Sequence, residues 1–142
     1  MGKTLDDVRN IMELDVKDMN EIAEAKSQQF VKGKITTNQI RNIFGEIARM
    51  RNEFDKAEKG KKYQAARKSL ILLKPKLAYA VGRQQRKEQK QTMENYKSTF
   101  YKLIDLVEST EEANREGALQ RFFDFAEAIV AYHKYFEETK NN

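Results

Sequence analysis

Apolar residues recur at intervals of three and four along most of the chain, and no segment keeps the strict two-residue alternation of a half-buried strand. That periodicity points to an all-α fold. Turn chemistry agrees, since the 142 residues include only six glycines and one proline. The length suits one domain, taken as residues 1–142, around a single core.

Local signals divide the pattern into a compact bundle of about five helices. Leu5, Val8, Met12, Leu14, Met19, Ile22 and Phe30 form a loose stripe that Asp15 or Asp18 can interrupt as a cap, so one long or two short helices should end near Gly33. Thr36 and Gln39 then form the Thr-x-x-Gln pattern of a capping box, with Ile35 and Ile40 placed as a hydrophobic staple. Ile40, Ile43, Phe44, Ile47 and Phe54 continue that helix, and Gly45 inside it either marks a close helix approach or has no structural role.

After a polar connection from Lys56 to Lys62, the stripe resumes with Tyr63, Ala66, Leu70, Leu73, Leu77 and Val81. Pro75 lies within it; the ring removes a backbone donor and crowds the preceding turn, so a kink or break is expected near Lys74 and Pro75. Met93, Tyr96, Phe100, Leu103, Ile104 and Val107 predict the next helix. Ser109 and Glu112 form a second capping-box pattern before a last helix through Leu119, Phe122, Phe123, Ala126, Ile129, Val130 and Phe136. The tail Lys140-Asn141-Asn142 is expected to fray.

The chain has no cysteine, which excludes disulfides, thiolate metal sites and a cysteine nucleophile and suits a reducing, cytoplasmic setting. Its first residues, Met1 to Asp7, become acidic at once and lack the apolar run of a signal peptide. The longest apolar run, Leu70 to Leu73, falls far short of the roughly 20 residues that cross a bilayer, so no membrane span is expected.

The net charge of +5 is unevenly placed. Residues 1–55 carry −1 and residues 91–142 carry −4, whereas 56–90 hold 12 Lys and Arg against two acids, a net +10. Like charges at that density repel one another, and a phosphate backbone would neutralise them. A solvated basic face is the plainer alternative, but the acids that normally interleave such a face are nearly missing. Near this stretch Tyr63 falls on the apolar stripe and is expected in the core. Tyr79 is either core or, if exposed, a platform on which a base could stack.

No catalytic residue is apparent. His133 is the only histidine, so neither a zinc pair nor an alternative imidazole base exists, and a partly buried place at the core edge is expected for it. No glycine-rich phosphate loop is present, and no cofactor is implied. The acid pairs Asp6-Asp7, Glu111-Glu112 and Glu137-Glu138 point about 100° apart on a helix, so no metal site is expected of them.

Two stretches are more specific: Ile35-Thr36-Thr37-Asn38-Gln39-Ile40-Arg41-Asn42-Ile43-Phe44, and Leu70 to Arg83 with its Pro75-Lys76-Leu77-Ala78-Tyr79-Ala80-Val81-Gly82-Arg83 end. Together with an aromatic-rich last helix, they resemble the small subunit of the type III-A CRISPR effector, the Csm complex. The resemblance spans the chain, and the type III-B small subunit is the nearest confusable family. It implies a non-catalytic helical subunit that stacks as a filament beside other Csm subunits and binds the backbone of target RNA in the crRNA–target duplex. By this resemblance Arg41, Lys74, Lys76 and Arg83 are candidate RNA contacts, and the basic helix adds Arg67, Lys68 and Arg86. A purely architectural protein that docks acidic partner surfaces is the alternative.

Overall fold

Two short 3-10 turns, Leu5–Asp7 and Ile11–Glu13, lead into five α-helices: α1 (Val16–Lys32), α2 (Thr37–Lys56), α3 (Lys62–Gly82), α4 (Lys87–Glu108) and α5 (Arg115–Lys140). The computed structural model describes residues 4–140, among which there is no strand, and the last two residues of the tail expected to fray lie outside them. The result is an all-α compact bundle, as the periodicity predicts. No helix among the described residues is long and apolar enough to cross a membrane.

The N-terminal stripe is less helical than its spacing suggests. Leu5, Val8, Ile11 and Leu14 are buried through the two short turns, and α1 begins only after Asp15, whose carboxylate accepts the Asp18 N–H at 2.8 Å. Helix α1 ends in a Schellman motif, in which the N–H of Ile35 donates to Phe30 and that of Lys34 to Val31, each at 3.0 Å. Its left-handed residue is Lys34 (φ 69°), not the glycine before it. Gly33 is needed for close approach, because a Cβ there would run into the Thr92 side chain of α4.

Helix α2 starts where its capping box predicts. Gln39 Oε1 accepts the Thr36 N–H at 2.8 Å, and Thr36 Oγ1 accepts the Gln39 N–H at 3.2 Å. Glu137 of α5 accepts from both the backbone N–H and the hydroxyl of Thr37, at 3.1 and 2.8 Å. The first orphan donors of α2 are thus satisfied within the chain. Gly45 is exposed with open space where a Cβ would stand, so no helix closes on it.

Helix α3 runs through Pro75 without a break. The ring lies on the exposed side, where the carbonyl it leaves unpaired, that of Ile71, can meet water, while buried Leu70, Leu73 and Leu77 clamp the helix on either side. Tyr101 of α4 adds a hydrogen bond from its hydroxyl to the Lys74 carbonyl at 3.0 Å. The second capping box does not form. Ser109 terminates α4 instead, donating to the Leu106 carbonyl, and a short turn at Glu112–Asn114 precedes α5. The polar pattern there reflects a helix end competing for the same residues.

Helix α5 touches each of the other four. Phe122, Phe123, Phe125, Ala126 and Ile129 are buried along it, so its middle is apolar nearly all round, as befits a central helix. Phe100 of α4 packs edge-on to Phe122 and Phe125 and lies against Tyr96; Phe54 of α2 meets Phe123 and Phe30 of α1 meets Tyr96. His133 is fully buried rather than at the core edge, and its Nε2 lies 2.7 Å from the Ile35 carbonyl. It therefore donates from Nε2 and pins α5 to the loop before α2. Burial holds its pKa below the ordinary histidine value, against the opposing pull of the Ile35 carbonyl and Glu137.

Candidate nucleic-acid interface

Helix α3 is wedged between α2 and α4 and carries no acid, since none lies between Glu58 and Glu88. Several of its cations nevertheless meet carboxylates, supplied by the neighbouring helices. Arg67 pairs with Glu108 at 3.2 Å and Lys74 with Asp105 at 2.6 Å, both on α4. Lys76 pairs with Glu46 of α2 at 2.6 Å, and Glu46 also meets Arg49 at 3.4 Å. The hydrogen bond from Lys76 holds the Glu46 carboxyl below its ordinary pKa, so the pair is ionised. Lys62 is drawn into the fold too, donating to the carbonyls of Phe54, Asp55 and Ala57 at 3.0 to 3.2 Å and so capping α2.

The remaining candidates have no carboxylate within 4.0 Å among the described residues: Arg41, Lys68, Arg83 and Arg86, all exposed. Lys68, Leu72, Pro75, Tyr79 and Arg83 follow the spacing of one helical line and form the outer ridge of α3. Leu72 and Tyr79 are exposed to 44% and 68% of their surface, against 8% for Tyr63, so Tyr79 is the surface aromatic and Tyr63 the core one. The Arg83 guanidinium stands over the Tyr79 ring, 5.7 Å from its centroid. Arg86 sits in the turn that precedes α4.

The seven cations do not converge in one groove. Arg67 and Lys74 flank α4, and Arg41 lies one turn beyond Thr37, on the side of α2 that touches α5. What the fold does bring together is the end of α3 and the start of α2. Between them runs a groove of about 430 Å³ lined by Asn38, Asn42, Glu46, Lys76, Tyr79 and Arg83, with Ile43 and Ala80 deeper in it. Gln39 donates to Gln84 across its floor at 3.1 Å, and Gln84 donates in turn to the Ala80 carbonyl.

The two specific sequence stretches therefore meet at this groove, and they divide the labour. Thr36, Thr37 and Gln39 are spent on capping and on tying α2 to α5 and α3, whereas Asn38 and Asn42 face the groove with no hydrogen-bond partner among the described residues. These two asparagines escaped notice in the sequence, although their i, i+4 spacing beside the buried stripe places them on one flank.

Among the described residues no three His, Cys, Asp or Glu side chains gather as a metal site. A family model described as Csm2 Type III-A matches residues 13–139, nearly the whole chain. The chain belongs to this family. As a Csm2-family protein it is a small subunit of the type III-A Csm effector complex, and the other Csm subunits are its partners. The match includes α1 through α5 up to the last helical residue, so both groove walls lie inside it. No curated protein and no solved structure matches.

Proposed function

We propose that the chain is a non-catalytic subunit that holds the target RNA backbone in the crRNA–target duplex and stacks on further copies of itself beside the guide-bearing part of the Csm complex. The observation that carries the RNA reading is the acid-free outer ridge of α3 and its following turn, where Lys68, Arg83 and Arg86 have no carboxylate neighbour while the cations facing α2 and α4 do. Exposed guanidinium groups grip phosphate bidentately without reading bases, which suffices where pairing to a guide supplies sequence. The seven proposed contacts thereby rank. Arg41, Lys68, Arg83 and Arg86 are available as they stand, whereas Arg67, Lys74 and Lys76 must first leave an ion pair.

Exposed Ile71 and Leu72 on the same helix favour a protein neighbour alongside the RNA and support the stacking of copies. The test is a Csm complex assembled with and without this chain. Loss of target-RNA capture on omission, with no cleavage of RNA by the isolated chain in Mg²⁺, supports the proposal; unchanged capture contradicts it. If capture fails because Arg83→Glu/Arg86→Glu blocks RNA-free assembly, the cations dock protein partners instead.

A further inference from the structure

We infer that the α2–α3 groove receives one unpaired base of the bound RNA, stacked on Tyr79 between the Arg83 guanidinium and the Asn38 and Asn42 amides. This rests on the RNA-binding reading above and adds to it a place where the strand leaves its helix.

Three observations favour a base over a phosphate there. First, Tyr79 turns 68% of its surface outward, and its hydroxyl has no partner among the described residues, although large aromatics are ordinarily retained for burial. An exposed ring with a guanidinium 5.7 Å from its centroid is the arrangement on which single-stranded bases stack. Second, the α2 side of the groove carries a carboxylate. Lys76 is compensated by Glu46 at 2.6 Å, so a phosphate entering between them would meet a carboxylate as well as an ammonium, whereas Arg83, on the exposed edge of the lining, and Arg86, beyond it, offer uncompensated charge. A neutral base inside with its phosphates at the rim satisfies both.

Third, the facing wall carries unspent polar groups. Gln39 and Gln84 satisfy each other, but the Asn38 and Asn42 amides, one helical turn apart, have donors and acceptors free. Amides can present either face to a base edge, so the groove tolerates any base, as a subunit that does not read sequence requires. Its volume of about 430 Å³ lies in the range of small-molecule sites.

The test uses the full chain and a short RNA duplex in about 50 mM salt, where phosphate contacts are strong. The duplex carries one bulged adenosine or, at the same position, an abasic residue. The base should tighten binding by about 5- to 150-fold. Tyr79→Ala should remove that gain and add nothing on the abasic RNA, whereas Tyr79→Phe should retain it; the exposed side chain makes misfolding easy to exclude by far-UV circular dichroism.

A bulged 2-aminopurine should be quenched by the wild type and left bright by Tyr79→Ala. Equal affinity of the wild type for both RNAs would overturn the base site while leaving backbone binding intact. No binding of either RNA would sink both readings. Retained base preference in Tyr79→Ala, with loss of association with RNA-free Csm subunits, would assign the groove to a protein partner.

Discussion

The two flanks of α3 bear similar residues and do different work. Toward α4, Arg67 and Lys74 are paired with Glu108 and Asp105, and Lys74 also lies over the Tyr101 ring at 5.1 Å. Along the outer ridge and into the next turn, Lys68, Arg83 and Arg86 find no acid, and Arg83 rests on an exposed tyrosine. A charge count sees one basic stretch, whereas the fold splits it into cations that bind the bundle together and cations left for a ligand. The difference is set by partners 31 and 41 residues away in sequence, on α4.

Replacing Arg83 and Arg86 together by Glu should break the comparison most visibly. RNA affinity in low salt should fall by at least about tenfold, while stability to urea changes by no more than about 0.5 kcal/mol, because neither side chain is buried or ion-paired. Thr36→Ala acts on the opposite wall of the groove. It removes half of the capping box and should cost about 1 kcal/mol in urea unfolding, with RNA binding weakened less than by the arginine pair.

The α4 flank should respond in the inverse sense. Lys74→Ala should cost about 0.2–1 kcal/mol of stability, the range of partly exposed ion pairs, and should leave RNA affinity within about twofold. Urea titration and fluorescence anisotropy on the same samples check both halves.

The shallowest effect is with pH and bears on the α2 wall alone. His133 is buried, and its folded pKa is below the unfolded value of about 6.5, so the unfolded chain takes up the proton first. Its contribution is complete above that unfolded value and is lost as pH falls through the folded one. The melting temperature should drop in that acidic window more in the wild type than in His133→Gln.

Much of this architecture is legible in the sequence, and the parts that are not share a cause. The stripes of α2, α3 and α4 and the Thr36–Gln39 box are local patterns, and each appears where its spacing places it. Asp15 as a cap is local as well. Pro75 does not break its helix, because the cost of the ring depends on which side of the helix meets water, and Ser109 misleads because an N-cap and a C-terminal serine use the same short-range bonds. The compensation of Lys76 by Glu46, the burial of His133 against Ile35 and the groove itself depend on which helices become neighbours. Candidate cations could be named from the sequence, but their separation into paired and unpaired groups could not.

The most direct test compares the salt dependence of single-stranded RNA binding for three proteins: wild type, Arg83→Ala/Arg86→Ala and Arg67→Ala/Lys74→Ala. Each lost phosphate contact should flatten the log–log slope by about 0.7, so the first variant should lose about 1.4 and the second should keep the wild-type slope. Equal flattening in both variants, or flattening only in the Arg67/Lys74 pair, would contradict the division of α3 into a structural and a binding flank.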